Sequence, residues 1–212
     1  VIVVGVWLGV MSLLLLFGWF TDQRLEETDR FTISSFDVTY RLQQDGSAPV
    51  GMTVTEQIVA DFPTPNVNHG LVRVLPTTYR GRDLNPIIES ITDAGGEVPW
   101  MSVEEEGDLK LRIGDATTYV QGEQTYVITY RYSNVVQDFG SGQEFYWDVN
   151  GTGWKQPFGR VSARVELAPG MADKLSGATS CYWGKRGSKA DCTLTRQGDA
   201  FGRFGQQGAQ PA

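Results

Sequence analysis

Apolar residues recur at every second position in several short runs of this chain of 212 residues. Phe36, Val38 and Tyr40 alternate with polar residues. Successive side chains of a β-strand point to opposite faces, so this spacing predicts a half-buried strand. Comparable short runs follow at 52–62, 71–75, 87–92, 98–103, 109–113, 126–132, 145–149 and 161–167. Short strands between turns that contain Gly or Pro predict an all-β fold, specifically an antiparallel β-sandwich.

The first twenty residues form an apolar run that contains no charged residue and no proline. As a helix, this run would be about 30 Å long and would match the hydrocarbon core of a bilayer. Trp19 and Phe20 close the run, as aromatic residues do at a membrane interface. Residues 1–20 are therefore predicted to be a transmembrane helix whose partner is the lipid bilayer. A cleaved signal peptide is the alternative, although no A-x-A-like cleavage site follows.

The residues after the apolar run predict on which side of the membrane the domain lies. Residues 22–30 contain four acidic and two basic residues, and so lack the excess of Lys and Arg typical of a cytoplasmic flank. We therefore expect a cell-membrane protein, single-pass in this segment, with an extracytoplasmic domain. The predicted organisation is an anchor or signal segment at 1–20, a juxtamembrane linker at 21–35, the β-sandwich at 36–197 and a flexible Gly- and Gln-rich tail at 198–212.

Composition argues against several classes of function. The formal net charge is −7 and the pI about 4.8, which does not suit a nucleic-acid surface. His69 is the single histidine and there are two cysteines, so no metal site of His and Cys ligands is expected. The sequence also lacks a phosphate-binding loop, and we predict no cofactor and no enzymatic activity. A carboxylate-dependent hydrolase, with Glu144 and Asp148 four positions apart, is an alternative.

The two cysteines, Cys181 and Cys192, enclose a polar segment that contains glycine. Such a segment can turn back on itself, and an oxidising compartment favours bridging over short loops. The alternative is a pair of unrelated reduced thiols. Because the domain is expected outside the cytoplasm, the sequence predicts a Cys181–Cys192 disulfide.

Tryptophans provide candidate contacts for a glycan or another partner. Trp100, Trp154 and Trp183 are the candidates, with Trp147 as a further member of the group. Indole rings can stack on sugars, but core and interface roles are more common for tryptophan. A cell-wall glycan-binding module is therefore kept as an alternative function.

Two charged residues interrupt apolar rows in consecutive predicted strands. Glu56 falls on the same face as Val54 and Ile58, and Arg73 lies between two leucines. An ionised side chain in a core is costly alone and tolerable when it is paired and hydrogen-bonded. We therefore predict a largely buried Glu56–Arg73 pair that fixes the register of neighbouring strands; a β-bulge that turns one of them to solvent is the alternative.

Several sequence blocks between Phe36 and Thr193 occur in an order and spacing that are similar to one known family. The blocks are Phe36-Asp37-Val38-Thr39-Tyr40, Asp45-Gly46-Ser47, Val54-Thr55-Glu56 with Phe62, Arg73-Val74-Leu75-Pro76, Gly122-Glu123-Gln124-Thr125-Tyr126 with Ile128 and Tyr130, and Phe145-Tyr146-Trp147-Asp148-Val149-Asn150-Gly151 with Trp154. Together with the Cys181–Cys192 segment, they resemble the bacterial membrane-protein family called domain of unknown function 2207.

This resemblance implies a β-rich extracytoplasmic domain, followed in longer members by further membrane segments. It transfers no activity or cofactor to any residue of this chain. The sequence as a whole therefore leads us to expect a membrane-anchored module without enzymatic activity that mediates protein or cell-envelope interactions.

Overall fold

The computed structural model describes four stretches of the chain, 30–64, 67–176, 179–184 and 187–207, the last five residues by their backbone only. The predicted transmembrane segment lies outside the described residues. Within them, no helix is long and apolar enough to cross a membrane.

The described residues are almost entirely β-strand and turn, which confirms the all-β prediction. A short 3-10 helix lies at Ala172–Lys174, and no α-helix is found in the described stretches. The strands are β1 (Thr32–Gln43), β2 (Gly51–Phe62), β3 (Leu71–Pro76), β4 (Thr78–Tyr79), β5 (Arg82–Asp83), β6 (Ile87–Asp93), β7 (Gly96–Glu97), β8 (Trp100–Glu105), β9 (Asp108–Ile113), β10 (Gly122–Tyr132), β11 (Val136–Asp138), β12 (Gln143–Phe145), β13 (Arg160–Leu167), β14 (Tyr182–Trp183), β15 (Ala190–Asp191), β16 (Thr195–Gln197) and β17 (Ala200–Gln207).

Two sheets contain most of these strands. The larger has eight strands in the order β16-β17-β13-β1-β2-β10-β6-β7, and the smaller has three in the order β3-β9-β8. Neighbouring strands are antiparallel except β1 and β13, which are parallel. The sequence predicted an antiparallel sandwich, and this parallel pair differs from that prediction. A tight turn forces antiparallel pairing only on consecutive strands, whereas β13 reaches β1 after a long excursion of the chain and is free to arrive in either direction.

One hydrophobic cluster contains side chains of both sheets. The buried faces of β1, β2 and β10 contribute to it from the larger sheet, and β3 and β9 contribute from the smaller one. Its best-buried members are Ile33, Phe36, Tyr40, Met52, Val54, Ile58, Leu75, Leu84, Leu111, Ile128 and Tyr130. Except for Ile33, which precedes the bulge in β1, and Leu84, which lies between β5 and β6, these residues are the ones that period-two spacing assigns to the inner faces of their strands.

Three predicted boundaries differ from the structure. Strand β1 begins at Thr32, inside the predicted linker. The alternating segment 145–149 is a strand only up to Phe145. The predicted flexible tail contains β17, which pairs with β13 along 200–207. Composition predicts flexibility from local preference, whereas ladder hydrogen bonds to a formed neighbour hold even Gly- and Gln-rich residues in a strand.

Both ends of the described chain lie at the same end of the larger sheet. Gln207, the last residue of β17, is opposite Arg160, and the neighbouring Phe158 forms a bridge with Ile33 near the start of β1. We call this end the terminal end. The smaller sheet also begins here, because the Val120 N–H, just before β10, donates to the Asn68 carbonyl, just before β3 (2.8 Å).

The opposite end of the strands, which we call the far end, is held by a series of main-chain hydrogen bonds. The Ser133 N–H, just after β10, donates to the Leu84 carbonyl (2.7 Å), and the Leu84 N–H donates to Thr77 (2.8 Å). The Thr77 N–H donates to Gly107, in the turn between β8 and β9 (3.0 Å). Strand β8 therefore runs from the terminal end toward the far end.

Candidate functional site

A buried ion pair lies at the centre of the domain. The side chain of Glu56 is 0% exposed and that of Arg73 is 5% exposed. Arg73 Nη2 donates to Glu56 Oε1 (2.6 Å) and Arg73 Nε donates to Oε2 (2.8 Å). This two-point geometry is the strongest form of the interaction, because the planar guanidinium matches the carboxylate. The predicted pair is confirmed.

The pair joins two sheets rather than two neighbouring strands. Glu56 belongs to β2 of the larger sheet and Arg73 to β3 of the smaller one. The expectation that it sets the register of adjacent strands was wrong in this respect, because the consecutive strands β2 and β3 separate into different sheets. The ion pair instead ties the two sheets to each other near their middle.

Further polar and aromatic groups complete this network. The Tyr130 hydroxyl donates to Glu56 Oε1 (2.6 Å). Arg73 Nη1 donates to the carbonyls of Val74 (2.9 Å) and Asn150 (3.2 Å). The Arg73 guanidinium also lies 5.6 Å from the centre of the Trp154 ring. These contacts replace much of the water that both charges lose on burial.

The network perturbs the protonation of its members. Burial alone would lower the pKa of Arg73, but the adjacent Glu56 carboxylate raises that pKa above its usual range, so the guanidinium stays charged. Burial raises the pKa of Tyr40 and of Tyr130 well above the ordinary phenol value, and the Glu56 charge adds to both shifts. The phenols are therefore neutral hydrogen-bond donors at any physiological pH.

The segment between β12 and β13 is held by side chains rather than by a β-ladder. The Tyr40 hydroxyl donates to the Val149 carbonyl (2.6 Å), and Trp154 Nε1 donates to the Asn150 carbonyl (2.8 Å). Asn150 also receives the Arg73 bond. The Val149 and Asn150 carbonyls are therefore hydrogen-bonded by side chains rather than by a neighbouring strand.

This segment also lies close against β3, which is an edge of the smaller sheet. A Cβ atom on Gly153 would come within 2.8 Å of the Val74 Cβ, so only glycine permits this approach. Further along, the Ile33 N–H donates to the Pro157 carbonyl (3.1 Å) beside β1. The segment thus closes the side of the domain between β1 and β3.

The opposite side of the domain, between β6 and β8, is open. All six residues of β8 are exposed. Trp100, Ser102 and Glu104 share the sheet face that carries the buried Leu111 and Ile113 of β9. The larger sheet therefore covers this face at β9 but leaves it uncovered at β8.

A groove lies at the far end of this open side, with a volume of about 420 Å³. It is lined by Thr78 and Asp83 from β4 and β5, by Pro86 and Ile87 at the start of β6, and by Glu104 and Leu109 from β8 and β9. Its lining is mixed and more polar than apolar, with Thr77, Thr78, Asp83, Asn85 and Glu104 beside Pro86, Ile87 and Leu109.

The predicted surface residues divide into two groups. Trp100 and Trp183 are 42% and 39% exposed, so a contact role for them stays a prediction. Trp154 is 5% exposed and contacts Phe158 at the base of the buried network. Its indole belongs to the core and offers no face to a sugar. The partly buried Trp147 packs against Tyr40 and Tyr132.

The predicted disulfide is confirmed. Cys181 and Cys192 are bonded, with their Cα atoms 5.1 Å apart. The Cys192 N–H also donates to the Cys181 carbonyl (2.9 Å), and the enclosed segment pairs as β14 and β15.

The carboxylates considered for hydrolysis are on the surface. Glu144 and Asp148 are both exposed. His69 Nδ1 lies 3.0 Å from the Thr118 carbonyl, and the His69 ring packs against Tyr119 at an angle of 31°. Across the described stretches, no group of three or more His, Cys, Asp or Glu side chains is arranged to hold a metal ion.

The sequence did not predict the groove, because its residues come from five strands, from Thr77 before β4 and from the turn before β6. It also missed the role of Tyr130 beside Glu56. One signal for the latter was available: Tyr130 and Glu56 both lie on apolar faces of strands, and a buried phenol needs a hydrogen-bond partner.

These features define an all-β, disulfide-containing domain built around a buried ion pair. The family model described as "Predicted membrane protein (DUF2207) N-terminal domain" matches residues 32–203. The chain belongs to this family, as its sequence blocks indicated, and the family description is consistent with a membrane location. A search of curated proteins finds no match to the chain.

The solved structures that match this chain are distant in sequence. They include the M1 zinc metallopeptidase of Deinococcus radiodurans, at 13% identity and a TM-score of 0.41, covering 84% of this chain and 39% of that one. Leukotriene A4 hydrolase of Saccharomyces cerevisiae is similar at 15% identity and a TM-score of 0.47, covering 85% of this chain and 27% of that one. The chain thus spans less than half the length of either protein.

Proposed function

We propose that this chain is a membrane-anchored, extracytoplasmic β-sandwich module that binds a protein or another component of the cell envelope and catalyses no reaction. The observation that carries the proposal is the position of the chain ends. Residues 30 and 207 leave the domain at the terminal end, so an anchor at residues 1–20 holds that end toward the bilayer. The far end and its groove then point away from the membrane, where a partner can reach them.

Two further observations support an extracytoplasmic location. The disulfide between Cys181 and Cys192 is stable in an oxidising compartment and is rare in the cytosol. The family description is that of a predicted membrane protein. Both agree with the uncharged run at residues 1–20 and with its acidic flank.

A binding role rather than catalysis fits the way in which the buried charged groups are used. Both carboxylate oxygens of Glu56 accept hydrogen bonds from Arg73, and Oε1 also accepts one from Tyr130. A catalytic acid or base must be able to reach a substrate. The strongest charge interaction in the described part of the domain is instead committed to joining the two sheets.

The proposal is tested by thiol labelling of the whole chain in bacterial membranes. Ser47, in the exposed turn between β1 and β2, is replaced by cysteine, while the native cysteines are protected as a disulfide. We expect a membrane-impermeant maleimide to label the Ser47→Cys variant in intact spheroplasts as fully as after lysis. Labelling that appears only after lysis, like that of a cytosolic marker protein, would overturn the extracytoplasmic assignment.

A further inference from the structure

The two sides of the domain differ in how their sheet edges are protected. On one side, residues 145–154 lie against the edge strand β3. On the other side, β8 is the edge of the smaller sheet, and β7 covers only Thr92 and Asp93 of β6. An uncovered edge strand presents unpaired main-chain donors and acceptors, which can pair with another strand.

The hydrogen bonds of β8 show which of its residues have free main-chain groups. The Gly114 N–H donates to the Pro99 carbonyl (2.8 Å), in line with the register that pairs Trp100 with Ile113. In an antiparallel pair, main-chain groups point toward the partner at every second residue. Positions 99, 101, 103 and 105 therefore face β9, and the N–H groups of Trp100, Ser102 and Glu104 face outward.

The two faces of β8 differ in chemistry. Glu104 lines the groove together with Asp83, and neither carboxylate has an ion-pair partner within the described stretches. The other face presents the exposed apolar residues Met101 and Val103. The basic residues of β9, Lys110 and Arg112, lie on this second face, away from the groove.

We propose that the outer edge of β8 binds an extended segment of a partner protein by strand addition. The bound segment alternates: basic side chains enter the groove beside Asp83 and Glu104, and apolar side chains cover Met101 and Val103. Main-chain hydrogen bonds to Trp100, Ser102 and Glu104 supply affinity, and the alternating side chains supply specificity. This inference rests on the proposed binding function and names the chemistry of the partner.

A second copy of this chain fits the edge less well. A two-fold dimer through β8 pairs the two strands antiparallel. Because β8 runs from the terminal end to the far end, that arrangement sends the chain ends of the two copies in opposite directions. Two copies anchored in one membrane cannot adopt it, whereas an extended segment of another protein can.

The test uses the full chain in lipid nanodiscs and a phage-displayed library of short random peptides as the probe. We expect enrichment, over empty nanodiscs, of peptides that alternate apolar residues with Lys or Arg. For an enriched peptide, the Ser102→Pro variant should weaken binding about tenfold or more. Proline removes the outward N–H of Ser102, while the ladder to β9 keeps its bonds.

Matched variants separate strand addition from side-chain effects. Ser102→Ala keeps the main-chain donor and should bind within about twofold of the native chain, a difference well under 1 kcal/mol. The double change Asp83→Asn and Glu104→Gln removes the two groove charges. It should weaken basic peptides about tenfold and reduce the salt dependence of binding, because the charge attraction is lost.

Three results would overturn the proposal. They are no enrichment over empty nanodiscs, selected peptides that tolerate Ser102→Pro, or a concentration-dependent dimer that Ser102→Pro abolishes. If the Ser102→Pro variant fails to fold, the peptide is changed instead. Two versions of it are made, each with N-methyl groups on one of the two alternating sets of main-chain amides. Strand addition is excluded if both versions bind as well as the unmethylated peptide. None of these results changes the outcome of the Ser47 labelling. Strand addition at β8 and the extracytoplasmic location are therefore tested independently.

Discussion

Strands β2 and β8 show how the position of a strand in its sheet decides whether its side chains are buried. Both contain polar and apolar residues, and both contain glutamate. In β2, which has a neighbour on each side, every second residue is buried, including Glu56. In β8, which has one neighbour, all six residues are exposed, including Trp100 and Met101.

A charged side chain with hydrogen-bond partners in the core can therefore be better stabilised than an apolar side chain at the edge of a sheet. Glu56 has lost its water but gained Arg73 and Tyr130. Trp100 keeps much of its surface in water, where it contributes little hydrophobic stabilisation. Stability is therefore concentrated around β2, whereas β8 leaves its apolar side chains and one main-chain edge exposed.

The largest expected effect comes from breaking the central pair. Arg73→Met should lower the free energy of unfolding by about 3–5 kcal/mol, because Glu56 is left charged and buried. A double variant, Glu56→Leu with Arg73→Met, should cost less than the sum of the two single changes. The surface pair of Arg41 and Glu166 is the control, and Arg41→Ala should cost no more than about 1 kcal/mol. Urea unfolding in detergent micelles, followed by near-ultraviolet circular dichroism, measures the two single variants of the pair, the double variant and Arg41→Ala. Equal losses of stability for Arg73→Met and Arg41→Ala would contradict the predicted difference between a buried and an exposed ion pair.

Two neighbouring tyrosines should respond differently to loss of their hydroxyl groups. The Tyr130 hydroxyl donates to a charged acceptor, so Tyr130→Phe should cost about 1.5–3 kcal/mol. The Tyr132 hydroxyl is buried and has no hydrogen-bond partner among the described residues. Tyr132→Phe should therefore change stability by no more than about 0.5 kcal/mol, or stabilise. The same denaturation assay decides, and a larger cost at Tyr132 would show that its hydroxyl has a partner in solution.

Alkaline pH should destabilise the core through its buried phenols. Burial raises the pKa of Tyr40, Tyr130 and Tyr132 in the folded chain above that of an unfolded tyrosine, about 10. The neutral form is favoured on folding, so this stability is fully present below pH 10 and is lost as the pH rises above it. Each buried phenol should remove about 1.4 kcal/mol per pH unit in that range.

Tyrosinate absorbance and circular dichroism, recorded together in an alkaline titration, check this prediction. The three buried phenols should ionise in the same step in which structure is lost. Tyr126, whose pKa burial raises to about 12, should ionise in that step as well. Ionisation of all tyrosines near pH 10 with the fold intact would contradict the assigned burial.

The smallest expected effect is at the exposed edge. Val103→Thr should change stability by no more than about 0.5 kcal/mol, because half of this side chain is already in water. The same substitution in β2, Val54→Thr, places a hydroxyl group in the core and should cost about 1–3 kcal/mol. Thermal unfolding of the two variants compares their losses of stability directly. Similar losses for Val103→Thr and Val54→Thr would mean that β8 is covered in solution.

The sequence predicted the features that depend on a single strand. It did not predict the features that depend on how several strands come together. Period-two spacing located the strands, and an acidic and a basic residue in apolar rows revealed the central pair. The assignment of Glu56 and Arg73 to different sheets depends on the path of the intervening loop, which local patterns do not encode. The sequence likewise allows Trp154 to be either a surface or a core residue. Its core position follows only from its contact with the buried Arg73.

Residues 30 and 207, the two ends of the described chain, lie at the same end of the larger sheet, and this has a mechanical consequence. A pull that separates residue 30 from residue 207 loads β1 and β17 from the same end, so their ladder bonds to β13 open one after another and give little resistance. A pull between the far end and the terminal end acts along the strands and loads many ladder bonds at once. The domain should therefore resist tension applied between its far end and its terminal end much better than tension applied between residues 30 and 207.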